Sequence, residues 1–313
     1  MLKMLAQHDI NTFVKTDYVV VGLGEILWDL LPQGKQLGGA PANFAYQAHA
    51  LGDTGIAASR IGTDSLATDA LSRLAALGLE ETYIQRDEQY ATGTVDVSID
   101  KKGEPEFTIT KYVAWDYIEW NGRLAGLAAR ADAVCFGSLA QRSPVSRETI
   151  RRFVRSVSPS CLTVLDINLR QNFYSHSVLE DSLRMARILK LNREEAEELK
   201  TLFSLGGRTQ EDWAKILAER FELELVCITR GEAGSVLVAD TESVSHPGYP
   251  SIIADTIGSG DAFTAALVYH YLRGSNLEHV SEAANRLGAF VAGRTGATPV
   301  IEEQVLEEIK RRD

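Results

Sequence analysis

The feature that most constrains this chain is a series of short apolar runs at 133–136, 162–167, 188–191, 225–229 and 235–239. Helix-forming segments at 123–130, 144–157, 193–203 and 210–220 fill the gaps between them. Runs of this length without polar alternation suit strands covered on both faces, and their rhythm with helices predicts a mostly parallel sheet between helix layers. The N-terminal half begins the same way. An apolar strand at 18–24 runs into glycines, and a helix at 41–51 stops at Gly52. A strand at 55–61 precedes a helix at 64–77, capped by Thr63 or Asp64 and closed by Gly78. Three helices, at 261–272, 277–291 and 302–311, complete the chain.

One region breaks the rhythm. Residues 94–100 and 106–110 alternate apolar and polar side chains around Lys101-Lys102-Gly103. That is a half-exposed β-hairpin, which does not belong inside a covered parallel sheet. It is expected to form a small lid or an oligomerisation sheet.

At 313 residues the chain suits one large domain or two modest ones, and it needs no disulfide or metal staple. The net charge of −11, with no basic stretch, argues against nucleic acid as a partner. No run of ~18 apolar residues predicts a membrane span. Residues 1–17 lack a signal-peptide core and are expected to pack on the surface. Cys135, Cys161 and Cys227 each sit in an apolar run, as buried reduced thiols of a cytoplasmic protein would.

Chemistry concentrates at Asp255-Thr256-Ile257-Gly258-Ser259-Gly260-Asp261-Ala262-Phe263. Small residues before a helix leave its first N–H groups open to an anion. A carboxylate at that point repels a resident anion. It makes sense where the anion is an incoming phosphoryl group and Asp261 takes the proton of the attacking hydroxyl.

Other segments are compatible with ligands, and each has a structural reading as well. Gly22-Leu23-Gly24-Glu25 begins like a dinucleotide fingerprint, but position 27 is Leu where a third glycine is required. Asp29 then lies just past the edge of the first strand, where open α/β sheets bind ligands; a lone Asp by a turn also serves as a cap. Gly38-Gly39-Ala40-Pro41-Ala42-Asn43 opens a helix with two glycines and a Pro, and places Asn43 to face back toward the glycines. Asp166, Asn168 and Arg170 alternate along one extended stretch. Asn192 with Glu195 has the spacing of a capping box, and also suits waters around Mg²⁺. Thr229-Arg230-Gly231-Glu232-Ala233-Gly234 ends a strand and opens a hairpin.

Taken in order, these segments resemble the ribokinase-like (PfkB) family of carbohydrate kinases over nearly the whole length. The similarity runs from Gly24-Glu25-Ile26-Leu27-Trp28-Asp29 to Arg294-Thr295-Gly296-Ala297. Gly-Glu-x-Leu-x-Asp, Gly-Gly-Ala-Pro-Ala-Asn and Asp-x-Asn-x-Arg are most similar to the fructokinase branch; the 2-keto-3-deoxygluconate kinase branch shares much of this.

The resemblance implies a ribokinase-like three-layer α/β/α sandwich with a mostly parallel central sheet. It implies a single domain over 1–313, with a small β-sheet lid from about 30–40 and 82–115. It implies an ATP- and Mg²⁺-dependent kinase for a sugar, D-fructose first, with K⁺ as a further cation. Asp261 matches the catalytic base, and Gly258, Ser259 and Gly260 match the anion hole. Asp29, Gly38, Gly39, Asn43 and Arg170 fall at the sugar, and Asn192, Thr229, Gly231, Gly234, Gly260 and Asn285 at the nucleotide. Glu195 with Asn192 matches the Mg²⁺-associated pair. Asp255 and the carbonyls of Ile257, Val291, Arg294 and Gly296 fall where many members hold a monovalent cation.

Ile257 and Ser259 depart from the commoner Thr and Ala, and Ser259 is expected to add a donor to the anion hole. A non-catalytic sugar- or nucleotide-binding relative is the alternative from another class. The alternating face of the hairpin predicts a homodimer paired through the lid.

Overall fold

The structure, a computed structural model, describes residues 15–31, 34–99, 105–250 and 252–311. The expected turn at 101–103 and residues 1–14 of the N-terminal extension lie outside the described residues. In chain order the strands are β1 (Val19–Leu23), β2 (Leu27–Leu31), β3 (Gly34–Gly38), β4 (Thr54–Ile61), β5 (Ile84–Arg86), β6 (Gly93–Ile99), β7 (Pro105–Ile109), β8 (Ala133–Phe136), β9 (Leu162–Asp166), β10 (Ile188–Asn192), β11 (Leu225–Thr229), β12 (Ser235–Ala239) and β13 (Glu242–His246). The helices are α1 (Ala40–Ala50), α2 (Ser65–Ala76), α3 (Gly122–Arg130), α4 (Pro144–Ser156), α5 (His176–Met185), α6 (Arg193–Leu202), α7 (Gln210–Phe221), α8 (Ser259–Leu272), α9 (Leu277–Ala292) and α10 (Glu303–Lys310).

Nine strands form one sheet in the order β13-β12-β11-β10-β9-β8-β1-β4-β5. It is parallel from β5 through β11, and β12 and β13 continue it antiparallel. Alternate residues of each strand serve opposite helix layers. In β8, Ala133 and Cys135 pack with Phe44 of α1 and Ala266 of α8, while Val134 and Phe136 join Phe153 of α4 and Leu183 of α5. Both faces of β8 to β12 are dry, which explains why these strands read as apolar runs rather than alternating ones. All three cysteines are buried and unpaired, and burial pushes the thiols of Cys135 and Cys161 up, to about 12 for Cys161.

The chain leaves β1 for β4 and β5 on one side, then returns to β8 on the other. The reversal makes a crevice at the C-terminal ends of β1 and β8, the usual ligand position in such sheets. The segments after β1, β8, β9, β10 and β11 all emerge at this edge.

A second sheet, in the order β3-β2-β6-β7, stands apart. The alternating segments form its β6–β7 hairpin, and β2 adds to β6 in parallel with Asp29 opposite Val95. The small sheet thus begins earlier than expected, with β2 at 27–31, and Ile84–Arg86 pairs with β4 in the large sheet instead. The segment after Gly24 is β2 and not a helix, so no dinucleotide-binding turn forms there. Helix α5 was absent from the sequence-based expectation. Its Ser175 accepts from the Val178 N–H, and it buries Val178, Leu179 and Leu183.

Candidate functional site

Helix α8 begins at the crevice. Its cap, Gly258, has φ 78°, and a Cβ there would lie 2.5 Å from that of Ala297. No side chain caps this end. The N–H groups of Gly260 and Asp261 are in the first turn, where an α-helix offers no internal acceptor, so they face out of the helix end. Ser259 does not add a donor to this hole as expected. Its hydroxyl donates to the Thr256 carbonyl at 2.8 Å and tightens the turn before the helix.

Asp261 sits on the third residue of α8. Asn43 Nδ2 donates to its Oδ2 at 2.8 Å. Asn43 therefore reaches the carboxylate with its amide nitrogen. Burial pushes Asp261 up to about 6, helped by the nearby Asp166 carboxylate and opposed by Asn43, Lys190 and Arg170.

Strands β2 and β3 bring Asp29 and Gly38 together. A Cβ on Gly38 would lie 2.6 Å from Asp29 Oδ2, and one on Gly39 would lie 2.4 Å from the Glu25 carbonyl. Close approach to backbone and a φ of 109° require glycine at 39, while at 38 the near atoms are the ends of the Asp29 and Leu27 side chains. Burial raises Asp29 to about 6, against the pull of Arg170. Arg170 itself is exposed, yet its charge reaches Glu25, Asp29 and Asp261.

The first turn of α8 also forms part of the wall of an open cleft. Thr229, Gly231, Gly234, Gly260 and Asn285 line it, with Phe263 and Ala289 supplying apolar wall. The Asn285 amide nitrogen donates to Ser235 Oγ and the Ser281 carbonyl, which fixes α9 against β12 beside the cleft.

Asn192 and Glu195 form the capping box at the start of α6. Asn192 Oδ1 accepts from the Glu195 N–H at 2.8 Å, and Glu195 Oε2 accepts from the Asn192 N–H at 2.7 Å. Glu195 Oε1 takes the Leu169 N–H as well. Among the described residues no three His, Cys, Asp or Glu side chains converge on a metal position. A single, already hydrogen-bonded carboxylate suits a hydrated Mg²⁺ carried mainly by phosphate oxygens, and not an all-protein cage. At the expected monovalent-cation position, Asp255 accepts from the Ile257 and Gly296 N–H groups at 3.0 and 3.1 Å. That carboxylate gathers the two loops whose carbonyls were expected to serve a cation. The Val291 carbonyl already accepts from the Arg294 N–H at 2.9 Å.

Asp166, Asn168 and Arg170 do not project from one side. Asp166 is buried and ion-paired with Lys190, Asn168 turns at φ 42°, and Arg170 is exposed. Sequence reasoning missed two groups here. Glu25 is buried beside the site with Oε2 unpartnered among the described residues, and burial raises it to about 7. Lys190 lies in the middle of a sheet strand, and only its place in an otherwise apolar run marked it.

The match to the pfkB family of carbohydrate kinases spans residues 32–304. A Pyrococcus horikoshii protein described as an uncharacterized sugar kinase is 29% identical over 298 residues, 89% of this chain and 91% of that protein. A fructokinase of Klebsiella pneumoniae is 31% identical over 259 residues, 79% of this chain and 82% of its own. The crystal structure of the Pyrococcus horikoshii protein superposes with a TM-score of 0.78 at 26% identity, covering 94% of this chain and all of that one. A fructokinase of Xylella fastidiosa with bound ATP has a TM-score of 0.81 at 18% identity, covering 93% and 97% of the two chains. The chain belongs to the pfkB family of carbohydrate kinases and is a phosphotransferase that acts on an alcohol group.

Proposed function

We propose that the chain is a single kinase domain, 1–313, that transfers the γ-phosphoryl group of ATP to a primary hydroxyl of a monosaccharide, with D-fructose the first candidate. The observation that carries this reading is the position of Asp261. It lies in the first turn of α8, next to Gly260 in the cleft wall, and is hydrogen-bonded to Asn43 on the helix that opens at Gly39.

The sugar sits against Asp29, Gly38, Gly39 and Asn43, with Arg170 at the rim. Adenine and ribose lie along Thr229, Gly231, Gly234 and Asn285, and Asn192 faces the phosphates. Asp261 accepts the proton as the hydroxyl oxygen forms its bond to γ-phosphorus, and the bond to the bridging oxygen breaks to leave ADP. Asn43 holds Asp261 in the orientation that faces the hydroxyl. The N–H groups of Gly260 and Asp261 receive the charge that develops on the transferred oxygens. Mg²⁺, when bound near Asn192 and Glu195, neutralises phosphate charge. A monovalent cation among Asp255, Ile257, Val291, Arg294 and Gly296 would hold the loop before α8. The four-stranded sheet closes over the sugar and excludes water. Two such sheets facing each other would bury their outer faces in a homodimer, which the mass in light scattering tests.

Fructose names on relatives of this chain support the first choice of sugar. The test is ADP formation from ATP with fructose, 2-keto-3-deoxygluconate, ribose and nucleosides, with and without K⁺. Fructose is expected to turn over fastest. A different preferred sugar replaces the substrate and leaves the kinase; no turnover with any acceptor overturns the reading.

A further inference from the structure

Lys190 lies on β10 between Asp166 of β9 and Cys227 of β11. Its side chain is 9% exposed and points to the α8 face of the sheet, where its strand neighbour Ile188 is part of the apolar core. Its Nζ lies 3.1 Å from both Asp166 oxygens. Asp166 Oδ2 also accepts from the Thr264 hydroxyl at 2.9 Å, and that hydroxyl is 2.9 Å from the Gly260 carbonyl. A Cβ on Gly260 would stand 2.9 Å from the Lys190 ammonium. The ammonium therefore lies against the first turn of α8, at a residue that also lines the cleft.

Three carboxylates, Asp166, Glu195 and Asp261, act on this one cation and together outweigh the burial that would otherwise discharge it. The influence is mutual, since Lys190 draws Glu195 and Asp261 toward their charged forms. A buried ion pair of this kind adds little to stability compared with apolar residues of the same volume. Its place under the helix end calls for another explanation. Without the ammonium, the charges of three carboxylates near the start of α8 would go unopposed by it as a phosphate approaches.

We propose that Lys190 is a positioning residue of the phosphoryl-transfer site, holding Asp166 and the first turn of α8 in place and offsetting the carboxylates so that the terminal phosphate of a nucleoside triphosphate is accepted there. The proposal rests on the kinase reading above. The charges of Glu25 and Arg170 also reach Asp261.

The experiment compares wild type, Lys190→Met, Lys190→Arg and the double variant Asp166→Leu with Lys190→Met. The double variant removes both buried charges, so its Tm stays near wild type even if Lys190→Met alone unfolds. Calorimetry with a non-hydrolysable ATP analogue and with ADP reads the site without turnover, so it remains decisive if the sugar is misassigned. Loss of the ammonium is expected to weaken the analogue by ~10-fold and ADP by much less. The kcat falls by at least ~10-fold while the sugar KM is unchanged, and Lys190→Arg recovers part of both. Equal weakening of analogue and ADP would overturn the proposal. So would a double variant that binds and turns over like wild type, because Lys190 would then be only the counterion of Asp166.

Discussion

At the residue scale, Asp261 does two things that pull in opposite directions. As a base it must be charged, yet burial and the Asp166 carboxylate push it up to about 6. A group raised in this way binds its proton more tightly in the folded protein than in the unfolded chain. It favours the fold below about pH 4, and that contribution is lost as pH rises through about 6. Asp261→Asn should therefore melt no lower than wild type, and its Tm advantage should grow between about pH 4 and pH 6 and then level off. The same variant should lose at least ~10²-fold in kcat. Normal melting with near-full activity would remove Asp261 from the mechanism. The kcat/KM of wild type should fall on the acid side with a midpoint near pH 6. Measuring it from pH 5 to 8 checks the sign, since a fall on raising pH through that range contradicts a base.

At the element scale, the start of α8 depends on one backbone conformation. Gly258→Ala puts a Cβ into Ala297 at a φ that L-residues avoid. It should destabilise by at least ~1 kcal/mol and raise the KM for ATP. Gly122→Ala, at the first residue of α3 with nothing within 4 Å, should leave both unchanged. Thermal melts and nucleotide titrations of the pair separate the two cases. The α6 cap can be tested in the same way: Asn192→Ala should cost about 1 kcal/mol in urea denaturation, because the Glu195 N–H loses its acceptor. Elements also differ in how readable they were. Strands β8 to β12 announced themselves because both of their faces are dry. Helix α5 did not, since its entry, Ser175-His176-Ser177, is polar and only three of its residues, Val178, Leu179 and Leu183, form an apolar stripe. Strands β2 and β3 carry no clean alternation. Their strand character comes from pairing with each other and with β6.

At the scale of the whole molecule, the reversal of strand order between β1 and β8 brings residues far apart in sequence to one sheet edge. The Asn43 to Asp261 hydrogen bond spans 218 positions. The small sheet reaches the same edge through Asp29 on β2. If it closes over the sugar, amide hydrogen exchange in β2 and β6 should slow by several-fold on adding fructose and far less on adding ADP alone. Unchanged protection with a sugar that is turned over would mean that the sheet is not a lid.

The sequence alone determined the layered α/β architecture, the glycine turn before α8 and the carboxylate on its first turn. Those properties are local: apolar runs, small residues and a capping pattern are written in adjacent positions. Tertiary structure alone decided that Asn43 faces Asp261, that the Ser259 hydroxyl closes its own turn, and that Asp166 is a buried counterion and not a ligand-facing group. It also decided that Glu25 and Lys190 are buried at the site. Burial and charge pairing depend on which distant segments the sheet order brings together, and that information is spread over the whole chain.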